Sequence, residues 1–331
     1  MIKYNFSPGP ATLDNSVLEI VNQNILEYEN EGFSILEISH RSDIFENILE
    51  NTKKNLKDLL NIPSNYKILF LQGGATFHNT FLAHNINLKK STSNLVTGTW
   101  GKKTYEDFVK IRDSKEIFLK SRDISEFIKD PSLAVNQKTD YLHITSNETI
   151  EGIQLRNFDQ IGNDLIVDSS SDIGSYKFDW NNVAYIYAGA QKNLGIPGVT
   201  ISIIREDFIE QNENPTYLNL SKLIDKDSLL NTPPTFSIYV LKLVTDWMLN
   251  AGGVEYFEKQ SQDHSTNVYS MLSKYSDHVS LPVEEYARSK MNVVFNFKNK
   301  KIEKLFLEES LENNIMGIKG HRSVGGIRIS L

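Results

Sequence analysis

Short, unbroken apolar runs punctuate the chain: "YKILFL" at 66–71, "NLVT" at 94–97, "DYLHIT" at 140–145, "DLIVD" at 164–168, "VAYIYA" at 183–188 and "VTISII" at 199–204. Runs this short, rich in β-branched and aromatic residues and ended by polar or small ones, predict strands buried on both faces. The stretches before and between them follow a helical period instead. After the turn "SPGP", Asp14 is placed to cap a helix whose apolar residues Val17, Val21 and Ile25 recur every fourth position. A second helix is predicted after "SHRSD", with Ile44, Ile48, Leu49, Leu56 and Leu59 on its inner side. A further helix spans Phe236 to Trp247.

Strands alternating with helices predict an α/β fold with a mostly parallel sheet flanked by helices. "AGGV" at 251–254 reads as a hinge. Beyond it follow a long helix, the strand "MNVVFNF", a helix from about Lys301 and the strand "GGIRISL". The expected division is a large domain of residues 14–250 and a small α+β domain of residues 251–331, to which residues 1–13 return.

The 331 residues are 40% apolar and 23% charged, as in ordinary globular proteins. A net charge of −7 argues against nucleic-acid binding, which needs a basic face. It does not argue against a small anionic substrate. There is no cysteine, which excludes disulfides, thiolate zinc sites and a cysteine nucleophile. "MIKYNFSPGP" has no apolar core of signal-peptide length, and no stretch approaches the roughly 18 apolar residues of a membrane span. The expectation is a soluble cytoplasmic protein.

In open α/β sheets ligands gather at the carboxyl ends of strands. "YKILFLQGGAT" ends a strand in Gly73 and Gly74 and opens a helix at Ala75 and Thr76. Alone this reads first as a tight βα turn; the functional reading is a cradle for an anion at a helix N-terminus. "DLIVDSSSD" ends its strand in Asp168, either a turn former or an ionised partner for a protonated ring nitrogen. Lys192 stands in "AGAQKNLGIPG" between two apolar strands. Its small, amidic and apolar neighbours suit a desolvated amine, whose lowered pKa makes it nucleophilic. Trp100 in "TGTWGKK" is core filling or a platform for a flat ring. Thr149 in "HITSNETIEG" is a turn cap or a donor to a ring substituent. His-Arg-Ser occurs twice, at 40–42 and 321–323, and Arg328 alternates with Ile327 and Ile329 on the polar face of the last strand. Together these cations suit anion recognition.

The order of these features resembles that of pyridoxal-phosphate enzymes of the aspartate-aminotransferase fold, type I. More narrowly it is similar to the phosphoserine aminotransferase family of class V, through "FSPGPATL", "EISHRS", "LFLQGGAT", "GTWGKK", "SNETIEGIQ", "DSSSDI", "YIYAGAQKNLGIPGV", "NTPPTFSIY", "AGGV", "RSKMNVVF" and "GHRSVGGIRIS". The resemblance implies that Lys192 forms the internal aldimine with pyridoxal 5'-phosphate and that Asp168 pairs with the pyridine nitrogen. It implies that Trp100 stacks on the ring and that Thr149 bonds its phenolic oxygen. Ala75, Thr76, Ser170 and Gln191 would surround the phosphate, with Asn231 and Thr232 reaching in from the neighbouring subunit of a homodimer. Arg328 would hold the substrate α-carboxylate. His40, Arg41, His321 and Arg322 would gather round a distal anion, some across the interface. The implied reaction is ping-pong amino transfer between L-glutamate and 3-phosphohydroxypyruvate, in serine biosynthesis. The family also accepts a phosphorylated hydroxythreonine in pyridoxine biosynthesis.

Thr76 departs from relatives that carry arginine there, and relatives usually continue past "RISL" through a Tyr-Asn-Ala stretch. Two alternatives stand beside this expectation: an aminotransferase of the same fold for unphosphorylated substrates, and an inactive cofactor-binding relative with a regulatory role.

Overall fold

Fourteen strands and eight helices are formed among the described residues of this computed structural model, which are 3–331 apart from 121, 122, 125, 128–138, 157, 159, 160 and 163. In chain order the strands are β1 (Tyr4–Asn5), β2 (Tyr66–Leu71), β3 (Thr92–Val96), β4 (Lys115–Phe118), β5 (Tyr141–Thr145), β6 (Asn147–Glu148), β7 (Ile153–Gln154), β8 (Asp164–Asp168), β9 (Val183–Gly189), β10 (Thr200–Arg205), β11 (Val279–Ser280), β12 (Asn292–Phe297), β13 (Ile315–Met316) and β14 (Ile327–Ser330). The helices are α1 (Asn15–Leu26), α2 (Asp43–Leu60), α3 (Gly74–Asn85), α4 (Thr99–Phe108), α5 (Leu220–Asp225), α6 (Thr235–Asn250), α7 (Gly253–Lys274) and α8 (Lys300–Glu312).

Seven strands form the main sheet in the order β2-β10-β9-β8-β5-β3-β4. β10 alone is antiparallel, to both β2 and β9. The reason is length: residues 190–199 are too few for the crossover a parallel neighbour needs. Every residue of β3, β5 and β9 is buried, as unbroken apolar patterning requires of a sheet covered on both faces. β4, "KEIF", was not expected from the sequence. It is an edge strand with no fully buried residue, so its composition carries no apolar run.

Asp14 caps α1, its Oδ1 accepting from the Ser16 N–H at 2.9 Å. Of the three apolar positions read at four-residue spacing, Val17 is buried while Ile25 is exposed. Steps of four overrun the 3.6-residue turn, so Asn24, seven residues on, shares the inner face instead. Its Nδ2 donates to the Tyr239 hydroxyl of α6 at 2.6 Å. Ser42 caps α2, which buries Phe45, Ile48, Leu49, Leu56, Leu59 and Leu60 against the main core.

Beyond Gly252, which holds the left-handed φ of 116°, α7 starts in the main core at Val254. It ends at Leu272 in a separate core with Val279, Val293, Phe295, Ile318 and Ile327. β1 returns to pair in parallel with β13, and Phe6 packs on this second core. On that ground we propose the small domain in the form expected from the sequence. No helix among the described residues is long and apolar enough to cross a membrane.

Candidate active site

A cavity of about 530 Å³ opens where β2, β3, β5, β8 and β9 end, the place where open α/β sheets bind ligands. Asp168 and Lys192 both line it. Asp168 is the last residue of β8 and is buried. Its Oδ1 accepts from the Ser170 N–H at 3.0 Å, so it also shapes the turn that follows. Burial pushes its carboxyl up, against the pull of Ser170 and of the Lys192 cation. Lys192 stands in the β9–β10 connection. Burial pushes its amine down, and the Asp168 carboxylate works in the opposite direction.

Part of that desolvation comes from the N-terminal turn. The Ala11 N–H donates to the Gln191 carbonyl at 2.9 Å. This lays Gly9 on the lysine, so closely that a Cβ there would sit 3.2 Å from Lys192 Cγ. With its φ of 152°, Gly9 also holds a backbone conformation that side chains rarely adopt. Pro8 and Gly9 complete this wall of the cavity.

Opposite, Ala75 and Thr76 line the cavity from the first turn of α3. The first N–H groups of a helix lack intrahelical partners and sit at its positive end. The N-cap, Gly73, supplies no side chain to satisfy them. Ser170 and Gln191 lie on the same cavity. Trp100, in the first turn of α4, lines it too, with Lys192 Nζ 5.8 Å from the centre of its ring. The Trp100 Nε1–H donates to Thr149 Oγ1 at 3.0 Å. Arg328 Nη1 donates to the Thr149 carbonyl at 3.1 Å. Arg328 was expected to project from a polar strand face. It lines the cavity while Ile327 and Ile329 join the second core, and it is buried there, with Nε lacking a partner among the described residues. Thr145 Oγ1 is likewise buried, on the cavity and without a partner among the described residues. A helix end, a flat indole and two unsatisfied polar groups fit an anionic ligand with a planar ring, such as pyridoxal phosphate.

His321 also reaches the cavity, its Nδ1 accepting from the Ser323 N–H at 3.3 Å. Arg322, next to it, is exposed and outside the lining. His40 is partly buried and Arg41 exposed, both away from the cavity. Asn231 and Thr232 are exposed, and the Thr232 carbonyl accepts from Gln72 Nε2 at 3.0 Å. One chain therefore gathers Ala75, Thr76, Trp100, Thr149, Asp168, Ser170, Gln191, Lys192, His321 and Arg328, and leaves the other five expected residues outside.

Residues 3–331 match the family model of aminotransferase class V. The chain belongs to the class V aminotransferases. A phosphoserine aminotransferase of Listeria monocytogenes serotype 4b is 40% identical over 330 residues, covering 99% of this chain and 91% of the relative. Among solved structures, the phosphoserine aminotransferase of Bacillus circulans subsp. alkalophilus superposes with a TM-score of 0.92 at 37% identity, over 100% of this chain and 93% of its own. The PLP-bound phosphoserine aminotransferase of Trichomonas vaginalis does so with a TM-score of 0.90 at 28% identity, over 99% and 95%.

This class V aminotransferase carries site-shaping groups that the sequence reading passed over. Glu148 and Glu151 flank Thr149 in the β6–β7 hairpin, and Glu148 is fully buried. Burial and the neighbouring Glu151 push Glu148 up to about 8, while the N–H groups of Gly101 and Trp100 pull it down. "NETIEG" showed two acids three apart around the threonine, but nothing local said that they face another helix. Lys103, with its Nζ 4.4 Å from the centre of the Trp100 ring, also lines the cavity.

Proposed function

We propose that this aminotransferase moves an amino group between L-glutamate and 3-phosphohydroxypyruvate, giving O-phospho-L-serine and 2-oxoglutarate, with pyridoxal 5'-phosphate as cofactor. Full-length similarity to phosphoserine aminotransferases supports this substrate pair. The observation that carries the chemistry is the Asp168 carboxyl and the Lys192 amine on one cavity that the first turn of α3 also enters.

When bound, the cofactor supplies a ring that withdraws electrons from the substrate's α-carbon. Lys192 Nζ would hold it, and Asp168 would keep a proton on its ring nitrogen. Trp100 would set the plane of the ring and Thr149 would bond its phenolic oxygen. Ala75, Thr76, Ser170 and Gln191 would meet its phosphate, the helix end favouring negative charge. The depressed pKa of Lys192 makes the neutral amine accessible, so Nζ can take the proton from the substrate Cα and return it. The Gly9 turn shields that amine from water. Arg328, buried with an unpaired Nε, is placed to take the α-carboxylate.

Asn231, Thr232, His40 and Arg41 lie off the cavity of their own chain, so a homodimer would have to bring them from a second copy. Exposed Leu18 and Leu26 on α1, with Leu36 nearby, offer apolar surface for one. We read the protein as cytoplasmic, with no nucleic acid or membrane as partner.

The test is glutamate-dependent half-transamination followed by reaction with phosphorylated and plain keto acids. We expect 3-phosphohydroxypyruvate to regenerate the cofactor fastest. Preference for pyruvate or glyoxylate would replace this reading with an unphosphorylated substrate.

A further inference from the structure

The first turn of α4, which presents Trp100, is held by a hairpin some fifty residues away. Its N-cap, Gly98, has no side chain to offer the free N–H groups of the turn. Two carboxyl groups take them. Glu151 Oε1 accepts from the Thr99 N–H at 3.0 Å and from its hydroxyl at 2.6 Å. Glu148 Oε2 accepts from the Trp100 N–H at 2.9 Å, and Oε1 from the Gly101 N–H at 2.7 Å.

The approach is close enough to require glycine. A Cβ on Gly98 would lie 2.5 Å from Glu151 Oε2 and 2.7 Å from Glu148 Cδ. One on Gly101 would lie 3.2 Å from Glu148 Oε1. The next residue, Thr149, accepts from the indole N–H and, through its carbonyl, from Arg328. Consecutive residues 148 and 149 thus grip the backbone and the ring of Trp100 and connect both to Arg328.

We propose that Glu148 is a positioning residue for the reaction: its carboxyl group, laid across the first turn of α4, fixes the Trp100 ring against the cofactor plane. It is fully buried and does not line the cavity, so its hold on the site runs through the first turn of α4 rather than through contact with a ligand. The inference rests on the proposed stacking of pyridoxal phosphate on Trp100.

The experiment uses holoprotein and two independent variants. Glu148→Gln replaces one acceptor with an NH2 group that faces an N–H. Gly98→Ala keeps both acids but crowds their carboxyl groups off the turn, on an extended backbone that alanine accepts. The readouts are the dissociation constant for pyridoxal phosphate, the circular dichroism of the bound cofactor, and Tm. Both variants should bind the cofactor about tenfold more weakly, the loss of one buried hydrogen bond, and should reshape its dichroic band. If Glu148→Gln does not fold, Gly98→Ala alone decides. A lower Tm with unchanged cofactor affinity and dichroism would overturn the inference, since support of the fold alone would do that. Wild-type protein that takes up no cofactor would overturn the function reading as well, so the two failures are distinguishable.

Discussion

Lys192 shows what a single position can reveal. Its neighbours "GAQ" and "NLGIPG" are uncharged, and that local poverty of charge was enough to mark a desolvated amine. Asp168 stood out by its place at the end of an apolar run, but that place suits a turn former as well, and only the family resemblance gave it a role. The covering contact of Gly9 on Lys192 was not legible, because the two positions are far apart in sequence and only the fold joins them. The duplicated His-Arg pairs were visible as composition, yet one chain places only His321 on the cavity. If Arg41 and Arg322 serve the distal phosphate from a partner, Arg41→Ala and Arg322→Ala should each raise the KM for phosphoserine by about tenfold or more. The KM for glutamate, which carries no phosphate, should move far less. Equal increases for both substrates would mean that these arginines only support structure.

At the level of elements, α3 is tied to the sheet by a buried histidine. His78 Nδ1–H donates to the Gly74 carbonyl at 3.0 Å, Nε2 meets Ser202 Oγ of β10 at 2.8 Å, and the ring stacks on Tyr187 of β9 at 4.8 Å. The Tyr187 hydroxyl in turn meets His143 Nε2 of β5 at 3.0 Å. Burial holds both imidazoles down, His78 at about 4 and His143 at about 3. The unfolded chain binds these protons from about pH 6.5 downward while the folded protein does not, so stability falls with pH through that window. Between about pH 7 and pH 5 the loss should be roughly 2 kcal/mol for each histidine, measured as a shift in urea unfolding. An unchanged urea profile over that range would mean that both rings are charged in the fold. The helices and inner strands were readable because periodicity encodes burial. The edge strand β4 was not, since an edge needs no apolar run, and neither was the Glu148 contact with α4, which depends on tertiary structure alone.

For the whole molecule, the residues outside the cavity matter as much as those within. A symmetric dimer would place Arg41 of one copy at the site of the other. Lys192→Ala, inactive alone, and Arg41→Ala, assayed at phosphoserine well below its raised KM, should then form one intact site per mixed dimer. Mixing and refolding them together should recover about a quarter of wild-type activity. No recovery would place both groups in the same chain's site and remove the ground for a shared one. Nothing in the single sequence could have separated these cases, because residues that act in cis and in trans look alike in composition.

The N-terminal strand has a consequence of its own. β1 is stitched to β13 beside the second core, and a few residues later the same segment lies on Lys192. Any shift of β13 would therefore tug the cover over the amine, tying the packing of the second core to the basicity of the reactive nitrogen through a few residues. Gly9→Ala would therefore be felt at Lys192 as well as in the turn itself.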